Sequence, residues 1–205
     1  MDRRSFVALG TLAAGAAAVG FPALAKPRKR RRPAAAGWKT LLDGRSMDGW
    51  TPIGGANWTV ADGAVQADQG KGFLVSRDVY GDFQVRVEFW ASDDANSGVF
   101  IRCTNPINVT TSNAYEVNIY DQRPDPSFGT GAIIGLAKVS PMPKAGGRWS
   151  VMDITAKGDR FTVLLNGVKT VDDVQDPRYL HAHGRIALEL AQGAVKFRKV
   201  QLREL

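Results

Sequence analysis

Asn96-Ser97-Gly98-Val99-Phe100-Ile101-Arg102 and Tyr115-Glu116-Val117-Asn118-Ile119-Tyr120-Asp121 both alternate apolar with polar positions. That is the period of a half-buried β-strand. In the second segment Glu116, Asn118 and Tyr120 share one face and Tyr115, Val117 and Ile119 the other. In the first, Phe100 and Arg102 oppose Val99, Ile101 and Cys103, so Cys103 is expected in the core. Sheets usually place Thr, Ser or Lys on a solvated face. An arginine, a carboxylate, an amide and rings there call for a reason, and a sugar-handling face is one.

The same short runs recur along the chain: Trp58–Val60, Ala64–Ala67, Gly72–Ser76, Phe83–Trp90, Ala132–Leu136, Trp149–Ala156, Arg160–Leu165, Val168–Val171, Gly184–Leu190 and Ala194–Leu202. No long segment after Trp38 has helical periodicity. Asp62-Gly63 and Asn166-Gly167 predict hairpin turns of the primed type. Asp43 to Trp50 predicts an opening turn, with Trp50 packed on the core. Strands at this spacing predict an all-β chain, a two-sheet antiparallel sandwich. The strand–turn–strand–turn–strand run from Trp149 to Val168 is common in laminin-G-like and concanavalin-like jelly rolls. Residues 104–113 and 121–131 are the longest polar connections and the expected rims of a site.

The N-terminus changes the picture of where the protein works. Arg3-Arg4 precede an apolar run from Val7 to Val19, and Ala23-Leu24-Ala25 supplies a small-x-small cleavage pattern. The layout resembles a twin-arginine signal. It predicts a signal peptide over residues 1–25, export by the Tat translocase, and a periplasmic or secreted bacterial protein. The apolar run is shorter than a membrane span, so no permanent anchor is expected. Residues 26–37 read as a basic, Ala/Pro-rich linker, and 38–205 as the folded domain.

The formal net charge is +7. Residues 1–36 hold eight of the 27 basic residues and one of the 20 acidic ones, so residues 37–205 carry nineteen of each. The basic excess belongs to the N-terminal region, and nucleic acid is not an expected partner. Cys103 is the single cysteine, which excludes an intrachain disulfide.

Strand parity collects a candidate site. Arg86, Glu88 and Trp90 share a face, as do Glu116, Asn118 and Tyr120, while Glu189 alternates with Ala187 and Ala191. If these strands share one sheet, three glutamates and Arg102 line a single face. The plainer alternatives are also open: a cross-strand Arg102–Glu116 pair, a solvated Arg86–Glu88 face, and a turn role for Asp121. No cofactor is expected. Asp93-Asp94-Ala95-Asn96 and Asp172-Asp173 with Asp176 offer oxygen ligands of the kind calcium takes, without EF-hand spacing. His181 and His183 have no evident third zinc ligand.

Taken together, the segments resemble the 3-keto-disaccharide hydrolase domain family over about residues 38–205. The carriers are Leu41-Leu42-Asp43-Gly44 with Asp48-Gly49-Trp50, Trp58 to Gly63, Tyr80-Gly81-Asp82-Phe83, Asn96 to Arg102, Tyr115 to Asp121, Thr130 to Leu136, Gly147-Arg148-Trp149, Asn166-Gly167 and Phe197-Arg198-Lys199-Val200. The resemblance implies a jelly roll acting on oxidised sugars. One departure stands out: where family members often read Leu-Gln-Asp-His-Gly, this chain has Leu188-Glu189-Leu190-Ala191-Gln192-Gly193.

A ketone at C3 makes the C2 proton of a glycoside acidic. A base removes it, the C1 substituent leaves by β-elimination, and water adds back. The site needs a base, a cation or donor at the enolate oxygen, and an acid for the leaving oxygen. Strand parity, read against this chemistry, points to Glu116 as base or acid, Glu189 as a second catalytic carboxylate and Arg102 as the positive partner. Asn118, Glu88 and Asp121 would bind hydroxyls, and Trp90 or Tyr120 would stack on the ring. A non-catalytic carbohydrate-binding or scaffold domain is the alternative.

Overall fold

The computed structural model describes residues 37–205. The expected signal peptide and all but the last residue of the linker lie outside the described residues. Thirteen strands form two antiparallel sheets: β1 (Lys39–Leu42), β2 (Trp50–Gly54), β3 (Thr59–Ala61), β4 (Ala64–Ala67), β5 (Gly72–Ser76), β6 (Phe83–Ala91), β7 (Ser97–Cys103), β8 (Tyr115–Ile119), β9 (Trp149–Lys157), β10 (Arg160–Leu165), β11 (Val168–Gln175), β12 (Arg185–Leu190) and β13 (Val195–Glu204). The larger sheet runs β11-β10-β9-β6-β13-β4-β3, with β1 also paired to β13; the smaller runs β2-β5-β12-β7-β8. Among the described residues no helix is long and apolar enough to cross a membrane.

Alternation builds the core. Phe83, Val85, Val87 and Phe89 of β6 face Val99, Ile101, Val117, Ile186 and Leu188 of the smaller sheet across a sealed apolar layer. Asp62-Gly63 and Asn166-Gly167 each take positive φ at both positions, as primed hairpin turns require. Trp50 is buried as expected, but it opens β2 instead of only closing a turn. Residues 132–136 form bridges, not a named strand.

The smaller sheet carries Glu116, Asn118 and Glu189. Its outer face, turned away from the larger sheet, carries a second apolar cluster of Val75, Phe100, Cys103 and Ala187, covered by Val109 and Ala114. Segment 131–134 extends the free edge of β8, with Gly131 N donating to Asn118 O at 2.9 Å and Ile134 N to Glu116 O at 3.0 Å. The long segment after β8 is thereby held beside Glu116 and Asn118.

Candidate active site

Two in-register rows cross the outer face of the smaller sheet. One runs Ile53–Phe73–Glu189 across β2, β5 and β12, and Gly98–Asn118 continues it across β7 and β8. The other runs Thr51–Val75–Ala187–Phe100–Glu116. Glu189 and Glu116 therefore stand diagonally across β7, with only Gly98 between Glu189 and Asn118. A Cβ on Gly98 would lie 3.2 Å from Glu116 Cγ and 3.4 Å from its Oε1. The missing side chain is what lets the Glu116 carboxylate lean across the strand.

Both carboxylates sit in a poorly solvated setting. Burial pushes the Glu116 pKa up to about 7, and the Arg123 cation pulls it partly back. Burial raises Glu189 further, to about 8, and the neighbouring Glu116 charge adds to the rise. Two coupled carboxyls at these values share protons near neutrality, so the pair holds an acid and a base at once. Asn118 is fully buried; its Nδ2 donates to Phe128 O at 2.7 Å while its Oδ1 has no partner. A buried acceptor without a donor is costly, and this one lies in the row of Glu189. Tyr120 follows Asn118 past the end of β8 and is half-buried.

Arg102 is not part of this face. Opposite β12, the three steps from Phe100 to Cys103 match the two from Ala187 to Arg185, so a β-bulge intervenes. Arg102 takes φ +54°, and its side chain turns inward, over the Phe161 ring. There it is fully buried and donates to Gly81 O, Gly158 O and His181 O and to the Asp82 carboxylate at 2.9 Å. Gly184 makes the bulge possible: a Cβ there would meet the Arg102 carbonyl carbon at 2.2 Å. The same bulge sends Cys103 to the outer cluster, away from Val99 and Ile101. The expectations of Arg102 at the site and Cys103 in the main core are both overturned by this one inserted residue.

Glu88 and Trp90 are also elsewhere. They lie on the outer face of the larger sheet, because β6 pairs with β9 and β13. Glu88 accepts from Arg198 at 2.8 Å, and Lys196 sits 5.3 Å from the Trp90 ring centroid. Asp121 does border the site, but its carboxylate is engaged by the Thr130 hydroxyl and by the amides of Ala145 and Gly146. It ties down the segment that carries Arg123. Arg123 is not singled out by the sequence reading, although the 121–131 rim is; its place three residues beyond Tyr120 is the available signal.

Four of the five acidic residues weighed as calcium ligands have separate side-chain partners. Ser92 donates to Asp94, Lys169 to Asp172, Arg160 to Asp173, and Tyr115 and Arg178 to Asp176. Among the described residues no group of three or more His, Cys, Asp or Glu side chains is placed to hold a metal.

Comparison with known proteins agrees with this architecture. Two Parabacteroides distasonis structures, each described as a "putative glycosyl hydrolase", superpose with TM-scores of 0.68 and 0.74 at 24% and 17% identity. Each covers 82% of this chain, and 100% and 94% of their own chains are matched. The carbohydrate-binding module CBM66 from Bacillus subtilis shares the fold at TM-score 0.57 and 18% identity, over 81% of this chain and 94% of the module. No protein of curated function matches. The family described as the 3-keto-alpha-glucoside-1,2-lyase-like domain matches residues 37–203. With two jelly-roll sheets and a glutamate pair on one of them, the chain belongs to this carbohydrate-active family.

Proposed function

We propose that the protein cleaves the glycosidic bond of 3-keto-glycosides by elimination, with hydration completing a net hydrolysis. One observation carries the reading: a buried and a half-buried glutamate on one sheet face, with pKa values of about 7 and about 8, beside a single arginine. A base and an acid matched to neutral pH are what the elimination needs. Glu116, the more acidic, takes the C2 proton. The freed electron pair forms the enolate on the C3 oxygen, and Arg123 stabilises that charge. As the ketone re-forms, the C1–O bond breaks, a C1–C2 double bond appears, and Glu189 protonates the leaving oxygen. Water then adds across the double bond. Asn118 Oδ1 accepts from a sugar hydroxyl or from the protonated carboxyl, and the Tyr120 ring flanks the sugar.

The substrate is an oxidised disaccharide or related glycoside, met outside the inner membrane after twin-arginine export. The competing reading, a non-catalytic carbohydrate-binding sandwich, draws on Ala191 and Glu189 standing where family members often carry histidine and glutamine. The test is to incubate the protein with a 3-keto-disaccharide and its unoxidised parent, with and without chelator, alongside Glu116→Gln and Glu189→Gln. Cleavage of the keto sugar alone, unaffected by chelator and reduced at least about a hundredfold in either variant, is expected. Binding of sugars with no turnover of any keto-glycoside would establish the binding module instead. Turnover retained in both variants would move the chemistry off the pair.

A further inference from the structure

The outer face of the larger sheet carries a second polar-aromatic row, on the side of the sandwich away from the glutamates. Pairing aligns Thr59 with Gln66, Gln66 with Lys196, Lys196 with Trp90, and Trp90 with Trp149 across β3, β4, β13, β6 and β9. Residues paired in this way project to the same face. At the β3–β4 end the row opens into a cavity of about 420 Å³ lined by Asn57, Thr59, Gln66, Asp68 and Lys196. At the other end Trp149 stays 38% exposed.

Two features separate this row from an ordinary solvated sheet face. Gln66 Oε1 is buried and has no hydrogen-bond partner, so a desolvated acceptor adjoins the cavity. The Lys196 ammonium lies over the Trp90 ring at 5.3 Å and forms no ion pair among the described residues. Asp68 is held by the Asn57 amide at 2.8 Å, so the lining carries one cation and one carboxylate and is neutral in sum. A cavity offering an amide, a hydroxyl and one charge of each sign is continued by two indoles over which Lys196 and Arg198 lie at 5.3 and 4.4 Å; both are long side chains that a stacking ligand can displace, and the combination suits one ligand chemistry. A pyranose presents hydroxyls at its rim and an apolar C–H face to an aromatic ring.

We propose that this row is a second, non-catalytic binding site for a neutral oligosaccharide. One sugar unit occupies the Gln66–Lys196 cavity, and the chain runs over Trp90 toward Trp149. Strands are spaced ~4.8 Å apart, so the span from β4 through β13 and β6 to β9 is about 14 Å, the reach of about three linked sugar units. The protein would hold a glycan on one sheet while the opposite sheet handles the oxidised glycoside.

Cellohexaose and maltohexaose, titrated separately into the full chain, test the proposal by tryptophan fluorescence and by amide chemical shifts. Expected is saturable binding of at least one, with shifts confined to β4, β6, β9 and β13. Trp90→Ala and Lys196→Met should each weaken binding by roughly five- to tenfold, the worth of one aromatic contact. Turnover of a small 3-keto-glycoside, where present, should not change. Gln66→Leu serves as a variant that keeps side-chain volume if Trp90→Ala fails to fold. No saturation with either hexaose overturns the proposal. So does binding that survives the Trp90, Lys196 and Gln66 changes but is lost in Glu116→Gln, because the glycan then sits on the other sheet.

Discussion

At the level of single residues, the proposed chemistry turns on two carboxyls whose pKa values burial raises toward neutrality. Glu116 must be ionised to act as base and Glu189 protonated to act as acid. The rate should therefore rise as pH passes about 7 and fall as it passes about 8, a narrow bell read from kcat/KM against pH. Stability has its own sign. Both folded-state pKa values lie above the ordinary carboxyl value of 4.5, so the folded protein binds more protons than the unfolded one across this window. Stability is full below pH ~4.5 and is lost as pH rises through 7 and 8. Glu189→Gln removes the Glu189 share of that loss, and its Tm should exceed the parent's at pH 9 and match it near pH 4; an equal Tm at both would show that Glu189 is not desolvated. Gly98 offers a separate check. Gly98→Ala places a methyl against Glu116 Cγ and Oε1 and must displace the carboxylate. Turnover should fall about ten- to a hundredfold with little change in Tm, because near-attack geometry is lost before packing is.

Individual elements show what alternation encodes and what it omits. Parity along β6 and β8 states correctly which residues share a face: Glu88 with Trp90, and Glu116 with Asn118. It does not state which sheet a strand joins, because pairing partners are far away in sequence. β6 joins β9 and β13, so Glu88 and Trp90 end on the far side of the sandwich from Glu116. Parity also breaks wherever one strand holds an extra residue. The bulge opposite Arg185 exchanges the faces of Arg102 and Cys103, and nothing in the local run Phe100-Ile101-Arg102-Cys103 announces it. The glycine that permits it, Gly184, is more than eighty residues away. Arg102 now reads as a strut tying β7 to the loops at Gly81, Gly158 and His181. Burial lowers its pKa while Asp82 raises it, and the guanidinium remains charged. Arg102→Met leaves three carbonyls and Asp82 without this donor and should cost about 2–4 kcal/mol in chemical denaturation. The pH-rate profile of the folded variant should keep its shape. A profile that moves instead would return Arg102 to the catalytic group.

On the scale of the whole molecule, the two proposed sites lie on opposite sheets, and both fall within residues 37–205. Both glutamates, the Arg123 loop and the Thr59-to-Trp149 row lie inside this span, and β1, its first strand, is paired with β13, its last. Trp38 is held between Arg86 and Arg203, with their guanidinium carbons 5.3 and 5.2 Å from the ring, so the boundary is fastened to the sheet one residue after Gly37. The charge of the chain is concentrated outside that boundary, since residues 37–205 are balanced at nineteen basic and nineteen acidic residues. Deleting residues 1–36 should therefore take the net charge from +7 to zero while leaving Tm within about 2 °C and turnover unchanged. Cation-exchange retention, calorimetry and the keto-glycoside assay on the shortened protein check the three parts separately. A large fall in Tm would mean that the N-terminal segment packs on the sandwich. A fall in turnover at constant Tm would mean that its arginines reach the substrate, and the electrostatics of the glutamate pair would then have to include them.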